Sequence, residues 1–227
     1  MSVAAVILAG GSGSRLGAEV NKVFLPVKGV PILARSVLTA LTLPDLSRLV
    51  VVTRPAEREQ VAQLLAPYLA DREIWLVAGG AERHDSEWGA LSALAQEIDS
   101  GGVEIVAIHD GARPLASQAL WSAVITAAKT HGGAIPTVEV TDLITSDGTR
   151  VDQRVAGVQT PQAFRAQPLL AAHRAAAAAG VKTTDTAACL EQFAKPAIRI
   201  AAVPSDSGNL KVTWSQDLGR VAGLLQA

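Results

Sequence analysis

With 227 residues, 49% of them hydrophobic and 18% charged, the chain has the balance of a soluble globular protein with room for a sizeable core. A net charge of −1 excludes a whole-molecule field that would gather nucleic acid or an anionic membrane, so any phosphate must be held by local charge. The single cysteine, Cys189, excludes an intramolecular disulfide and a cysteine-only zinc site, and it fits a reducing cytosol.

Met1-Ser2 leads directly into the apolar run Val3 to Leu8, short and β-branched enough to be a buried strand. There is no signal peptide and no apolar run of membrane-spanning length, so the expectation is a cytoplasmic protein with no membrane or nucleic-acid partner. Helical signals follow over Pro31 to Leu43, Glu57 to Leu69, Glu87 to Ile98 and Leu120 to Lys129. Strand signals alternate with them at Leu49 to Val52, Ile74 to Val77 and Val103 to Ile108. Strands apolar throughout and separated by helices predict an α/β fold, a doubly wound and mostly parallel sheet covered on both faces. Ligands of such sheets bind beyond the carboxyl ends of the strands. The glycines after the first strand, Gly79-Gly80 after the third and Asp110 after the fourth are all predicted on that one edge.

The pattern then changes. Ala134 to Val140 reads as a strand, Asp147-Gly148 as a hairpin turn, and Arg150 to Val158 as an antiparallel return. This hairpin is too polar for the main core, so residues 136–158 are predicted to form an arm projecting from a single domain spanning 1–227. An alanine-rich helix runs from Pro168 to Ala179, and Thr184-Asp185 caps another from Thr186 to Phe193. Ile198 to Val203 and Leu210 to Thr213 are read as late strands, with a closing helix from Gln216 to Leu225.

The stretch Leu8-Ala9-Gly10-Gly11-Ser12-Gly13-Ser14-Arg15-Leu16-Gly17, with Lys22 just beyond, carries the most chemistry. Glycines let the backbone approach a phosphate closely and aim its N–H groups at the anion, while Arg15 and Lys22 add full charges. It is not a dinucleotide fingerprint, because Leu16 stands at the third glycine and the next strand ends in Thr53-Arg54 with no acid. It is not a P-loop, because Ser14-Arg15-Leu16 replaces Gly-Lys-Ser/Thr. The pattern resembles the signature of nucleotidyltransferases that join a sugar or polyol phosphate to a nucleoside triphosphate. Asp110 is the best candidate for a hard-cation ligand; its plain structural alternative is an ion pair with Arg113. His109 reads as a structural strand-end histidine and Cys189 as core. No G-x-S-x-G elbow supports a serine hydrolase.

Further motifs stand in order along the chain: Gly79-Gly80-x-x-Arg83-x-x-Ser86, His109-Asp110-Gly111-Ala112-Arg113-Pro114, Gln159-Thr160-Pro161-Gln162, Thr184-Asp185 and Asn209-Leu210-Lys211-Val212-Thr213. With the glycine loop, they resemble the 2-C-methyl-D-erythritol 4-phosphate cytidylyltransferase family over nearly the whole chain. The resemblance implies a Rossmann-like nucleotidyltransferase that uses CTP and Mg²⁺ or another divalent cation, and works as a homodimer through the arm. It implies catalytic roles for Arg15, Lys22, Asp110 and Lys211, with Asp110 on the metal. Nucleotide contacts fall to Ala9, Gly10, Gly11, Ser12, Gly13, Gly80 and Ser86, and acceptor contacts to Asp110, Arg113, Thr141 and Arg154.

The departures lie in the acceptor half. The arm reads Thr141-Asp142-Leu143 where the family has Asp-Thr, and leucine donates no hydrogen bond. The arginine upstream of the T-P-Q motif has only Arg154, two residues too close, as its counterpart. Ala81 stands where an acid often follows the glycine pair, and Ala188 where a serine often follows Thr-Asp. Two alternatives therefore stay open: the related ribitol-5-phosphate cytidylyltransferase or another polyol-phosphate enzyme, and a catalytically silent nucleotide-binding regulator.

Overall fold

The computed structural model describes residues 2–11 and 21–225. Its strands are β1 (Val3–Leu8), β2 (Pro26–Val27), β3 (Val30–Pro31), β4 (Leu46–Thr53), β5 (Trp75–Ala78), β6 (Ile105–Asp110), β7 (Gly132–Val140), β8 (Val155–Val158), β9 (Gln162–Arg165) and β10 (Arg199–Pro204). Its α-helices are α1 (Ile32–Leu41), α2 (Arg58–Leu69), α3 (Arg83–Ala93), α4 (Ala95–Asp99), α5 (Gln118–His131), α6 (Ala166–Ala179), α7 (Thr186–Phe193) and α8 (Gln216–Leu224).

The main sheet has the order β10-β7-β9-β6-β1-β4-β5, with β8 added along β7. β1 is central because every residue from Val3 to Ile7 is buried, which only a strand covered on both faces allows. Its alternate side chains feed two cores. Val3, Ala5 and Ile7 pack with α1, α2 and α5 on one face. Ala4 and Val6 pack with α3, α4, α6 and α7 on the other. Each fully buried Val, Leu or Ile contributes about 1.5–3 kcal/mol, so neither face of β1 has a spare position. The mostly parallel, doubly covered α/β sheet is as the sequence predicts.

Four elements differ from the sequence reading. β9 lies inside the sheet, antiparallel to both β6 and β7. Gln162-Ala163-Phe164-Arg165 is short and shows no alternation, so no strand signal stands there in the sequence. Gly133 makes room for it, since a Cβ there would stand 2.7 Å from the buried Phe164 ring. The segment Leu210 to Thr213 is not a strand; it is an extended stretch held to Ala112 by a Val212 N–H bond of 2.9 Å. Of the return predicted over Arg150 to Val158, Val155–Val158 pairs with β7, and Ile144 bridges Arg150 nearer the tip. The helix predicted over Glu87 to Ile98 begins earlier, at Arg83, behind a reciprocal Glu82–Asp85 capping box, and breaks at Leu94.

Candidate active site

β1 and β6 run parallel with Leu8 opposite Asp110. The sheet order reverses between them, because β4 and β5 continue beyond β1 while β9, β7 and β10 continue beyond β6. Connections leaving such a pair diverge to opposite faces and open a crevice. A cavity of about 930 Å³ lies there, lined among others by Gly10, Gly11, Lys22, Gly80, Arg83, Ser86, Asp110 and Lys211. Four separated motifs thus share one wall. Ser12, Gly13 and Arg15 fall outside the described residues.

The glycine segment is tied down from behind. Arg54 donates to the Gly10 carbonyl at 3.2 Å and the Gly11 carbonyl at 2.7 Å, and Asn21 donates to the Ala9 carbonyl at 2.9 Å. Ala9 itself is buried and does not line the cavity. Glu57 joins the two clamps, taking bonds from both Arg54 and Asn21. Gly80 is demanded by packing: a Cβ there would sit 2.2 Å from that of Asp85. Its N–H donates to Ser86 Oγ at 3.2 Å, and Ser86 in turn donates to the Glu82 carbonyl.

Asp110 is the electrostatic centre. It is 6% exposed, yet three cations surround its carboxylate. Arg83 Nη1 lies 2.5 Å from Oδ1, Lys211 Nζ 2.7 Å from Oδ2, and Arg113 Nε 3.8 Å from Oδ2. Burial raises the pKa of a carboxyl, but Arg83 and Lys211 outweigh it here and hold Asp110 well below the usual range. Arg83 bridges two carboxylates, since its Nε also binds Glu87 Oε1 at 2.8 Å. Burial lowers the Arg83 pKa, and Asp110 with Glu87 more than restores it, so the guanidinium stays charged.

The backbone around Asp110 is fixed by the T-P-Q motif. Thr160 Oγ1 accepts the Asp110 N–H at 3.0 Å, so its own hydrogen points to His109 Nδ1, also 3.0 Å away. His109 Nε2–H then donates to the Arg113 carbonyl at 3.1 Å. Fully buried against Trp121, His109 is pushed down to about 4 by burial, so it is neutral and structural, as the sequence reading expects. Asn209 donates to the Thr160 carbonyl and to Gln159 Oε1, both at 2.9 Å, and accepts from Arg113 Nη1 at 2.7 Å through its carbonyl. These bonds carry Lys211, two residues on, to the cavity wall. Arg113 is largely buried in this scaffold and is outside the lining, as are Thr141 and Arg154 on the hairpin. Arg154 is solvent-exposed and pairs with Glu139 at 3.2 Å.

Arg83, Arg54 and Asn21 were not singled out as site residues by sequence. Asp85 caps α3 and meets Lys182, which leaves Arg83 to Asp110. The position of Arg83, three residues after the glycine pair, was the available signal.

The sequence profile of the family described as 2-C-methyl-D-erythritol 4-phosphate cytidylyltransferase matches residues 3–226. The chain belongs to that family. It is 38% identical over 224 residues to the 2-C-methyl-D-erythritol 4-phosphate cytidylyltransferase of Geobacillus kaustophilus, which spans 96% of this chain and 94% of the relative. Among solved structures, the 4-diphosphocytidyl-2C-methyl-D-erythritol synthase of Anaerococcus prevotii superposes with a TM-score of 0.82 at 27% identity, covering 100% of this chain and 99% of the other. The 2-C-methyl-D-erythritol 4-phosphate cytidylyltransferase of Thermus thermophilus gives 0.73 at 27% identity, with both chains covered in full.

Proposed function

We propose that the protein carries out its family's reaction, joining CTP and 2-C-methyl-D-erythritol 4-phosphate to give 4-diphosphocytidyl-2-C-methyl-D-erythritol and pyrophosphate. The observation that carries this reading is the convergence of Arg83 and Lys211 on an ionised Asp110, in a cavity bounded by the glycine segment and Lys22. An oxygen of the acceptor phosphate attacks the α-phosphorus of CTP, a new P–O bond forms, and the bond to the bridging oxygen breaks to release pyrophosphate. No covalent protein nucleophile is needed. The chain must hold two anions in line and offset the charge that develops.

Backbone groups of Gly10, Gly11 and Gly80, with Ser86, are assigned to the nucleotide, while Ala9, with its N–H on the Val52 carbonyl and its carbonyl on Asn21, anchors the segment behind them. Lys22, with Ser12, Gly13 and Arg15 from the segment before it, is assigned to the triphosphate. Lys211 has a 42% exposed side chain, so its ammonium can leave Asp110 for the α-phosphate as charge builds there. Arg113, expected on the acceptor phosphate, lies behind Asp110 with Nη1 on the Asn209 carbonyl and is assigned to positioning that carboxylate.

The donor set fits a Mg²⁺ ion. Mg²⁺ takes one or two carboxylates and fills its remaining positions with phosphate oxygens and water. Asp110 offers an ionised carboxylate on the cavity wall, already facing the cationic Lys211 ammonium. When bound, the ion supplies positive charge to the triphosphate oxygens.

The hairpin supports a homodimer in which each arm completes the partner's acceptor site with Thr141 and Arg154. Ile144 and Val158 on it are 68% and 48% exposed, an apolar surface that a second subunit would cover. One domain over 1–227 and a cytoplasmic setting complete the reading; no described helix is long and apolar enough to cross a membrane.

Pyrophosphate release with CTP and Mg²⁺ tests it, run against methylerythritol 4-phosphate, ribitol 5-phosphate and several sugar phosphates. A clear preference for methylerythritol 4-phosphate is expected. Activity with another acceptor alone would make Leu143 a change of specificity, and silence across the panel with CTP still binding would overturn the enzyme reading.

A further inference from the structure

We propose that His84, His173 and Cys189 form a second metal site, for a borderline-soft divalent cation such as Zn²⁺, behind the wall of the active site. The three residues come from α3, α6 and α7, on one face of the sheet, and they are 5%, 0% and 0% exposed. One ligand atom from each lies within 4.8 Å of the others. Two imidazoles and a thiol in a dry pocket are a donor set that Zn²⁺ takes and the hard Mg²⁺ ion does not.

The hydrogen bonds around the cluster leave His84 Nε2 available, while His173 Nδ1 is bonded to the Leu169 carbonyl. The Thr183 hydroxyl donates to the Asp185 carbonyl at 3.2 Å, so it accepts from His84 Nδ1–H at 3.0 Å and leaves Nε2 of that ring with a lone pair. The His84 and His173 rings are stacked at 5.1 Å and 12°. Cys189 Sγ lies 3.7 Å from His173 Nδ1, while the far nitrogen of that ring, Nε2, faces Glu87 Oε2 at 3.6 Å. Neither Nε2 of His173 nor Oε2 of Glu87 has a hydrogen-bond partner, although both are buried. They face each other as a buried imidazole–carboxylate pair at 3.6 Å, too far apart for a hydrogen bond. A metal-bound imidazole normally donates its other N–H to a carboxylate, and Glu87 stands in that position. Coordination through Nδ1 replaces the 3.1 Å contact with the Leu169 carbonyl and turns the loose pair into that donated bond. Bond lengths of about 2.0–2.1 Å to nitrogen and about 2.3 Å to sulfur require the three ligands to draw together, with a water in the fourth position.

Glu87 also reaches the active site. Its Oε1 accepts from Thr186 Oγ1 at 2.9 Å and from Arg83 Nε at 2.8 Å, and Arg83 holds Asp110. The proposed metal is therefore one carboxylate away from the guanidinium that positions the catalytic aspartate.

Co²⁺ is the probe of choice, added to the chelator-treated, reduced protein in saturating Mg²⁺ so that Asp110 does not compete for it. One equivalent is expected to bind, giving the visible bands of tetrahedral cobalt and a near-ultraviolet thiolate-to-cobalt absorption that Zn²⁺ then bleaches. Cys189 is the chain's single cysteine, so that absorption has no other source. Cys189→Ser should remove it, and His84→Asn should weaken cobalt binding by about tenfold or more. Cobalt bound without the thiolate absorption, or no stoichiometric binding, overturns the proposal. So does unchanged affinity in His84→Asn. If Cys189→Ser fails to fold, the wild-type spectrum and His84→Asn still decide. None of these readouts depends on cytidylyl transfer.

Discussion

Asp110 holds together charges that arrive from three directions, and Arg83 is the member that also binds a second carboxylate, Glu87. Removing Arg83 would leave Asp110 to Lys211 and strand the buried Glu87 beside Thr186. A hydrogen bond to a charged group contributes about 1.5–3 kcal/mol, so Arg83→Ala is expected to lower kcat/KM by roughly 10- to 100-fold. Arg83→Lys should not rescue it, because one ammonium cannot replace a planar group bonded to two carboxylates at once. Steady-state pyrophosphate release checks both. A contrast between two neighbours of the cavity follows from burial. Lys22→Ala is expected to abolish turnover with little change in melting temperature. Asp110→Ala should lose turnover and about 3–5 kcal/mol of stability as well, because it leaves buried cations uncompensated. Parallel thermal melts and assays separate the two.

At the scale of elements, the site is held by loops bonded to one another. The extended stretch carrying Lys211 is pinned at one end by Asn209 and at the other by Asp217, whose Oδ2 accepts the Thr213 and Trp214 N–H groups at 2.8 and 2.9 Å. Burial raises the Asp217 pKa, but the two backbone bonds outweigh it and hold it below its ordinary 3.8. A carboxyl lowered in the folded state stabilises the fold fully above its unfolded pKa. That contribution is lost as pH falls through the folded value. Asp217→Asn should therefore cost about 1–3 kcal/mol at neutral pH, and the gap from wild type should close below pH 3.8. Denaturant unfolding at a series of pH values measures the gap. The same variant should weaken turnover by loosening Lys211, although it touches no ligand.

At the scale of the whole molecule, the proposed dimer makes the hairpin its testable element. Its residues from Thr141 to Val158 are mostly exposed, Ile144 and Val158 among them. In the arm-exchanged dimer, sedimentation equilibrium should give twice the chain mass. Replacing residues 143–151 by a two-residue glycine turn should then give a monomer that still binds CTP but turns over poorly. A monomeric wild type with full activity would remove Thr141 and Arg154 from the acceptor site.

Much of this was open to a reader of the sequence, because the signals are local. A strand buried on both faces must be apolar throughout, so β1, β4 and β6 announced themselves. A loop that presents backbone to phosphate must be glycine-rich, so Gly10 and Gly11 did too, while Gly80 stood out as a nucleotide contact only through the family resemblance. Asp110 could be picked because a strand-end carboxylate suits a triphosphate's cation, whereas Lys211 stood out only through the family resemblance. Only the tertiary structure could decide what depends on distant residues. β9 has no alternation of its own and becomes a strand because β6 and β7 offer unpaired edges on both sides of it. Leu210 to Thr213 has strand composition but meets a loop at Ala112 instead of a free sheet edge. Arg83 finds Asp110 across 27 positions, and Thr186 finds Glu87 across 99, pairings that no local spacing encodes. Composition and periodicity record which side of an element is buried, whereas partners in space are set by how α3, α6 and α7 are laid over the sheet.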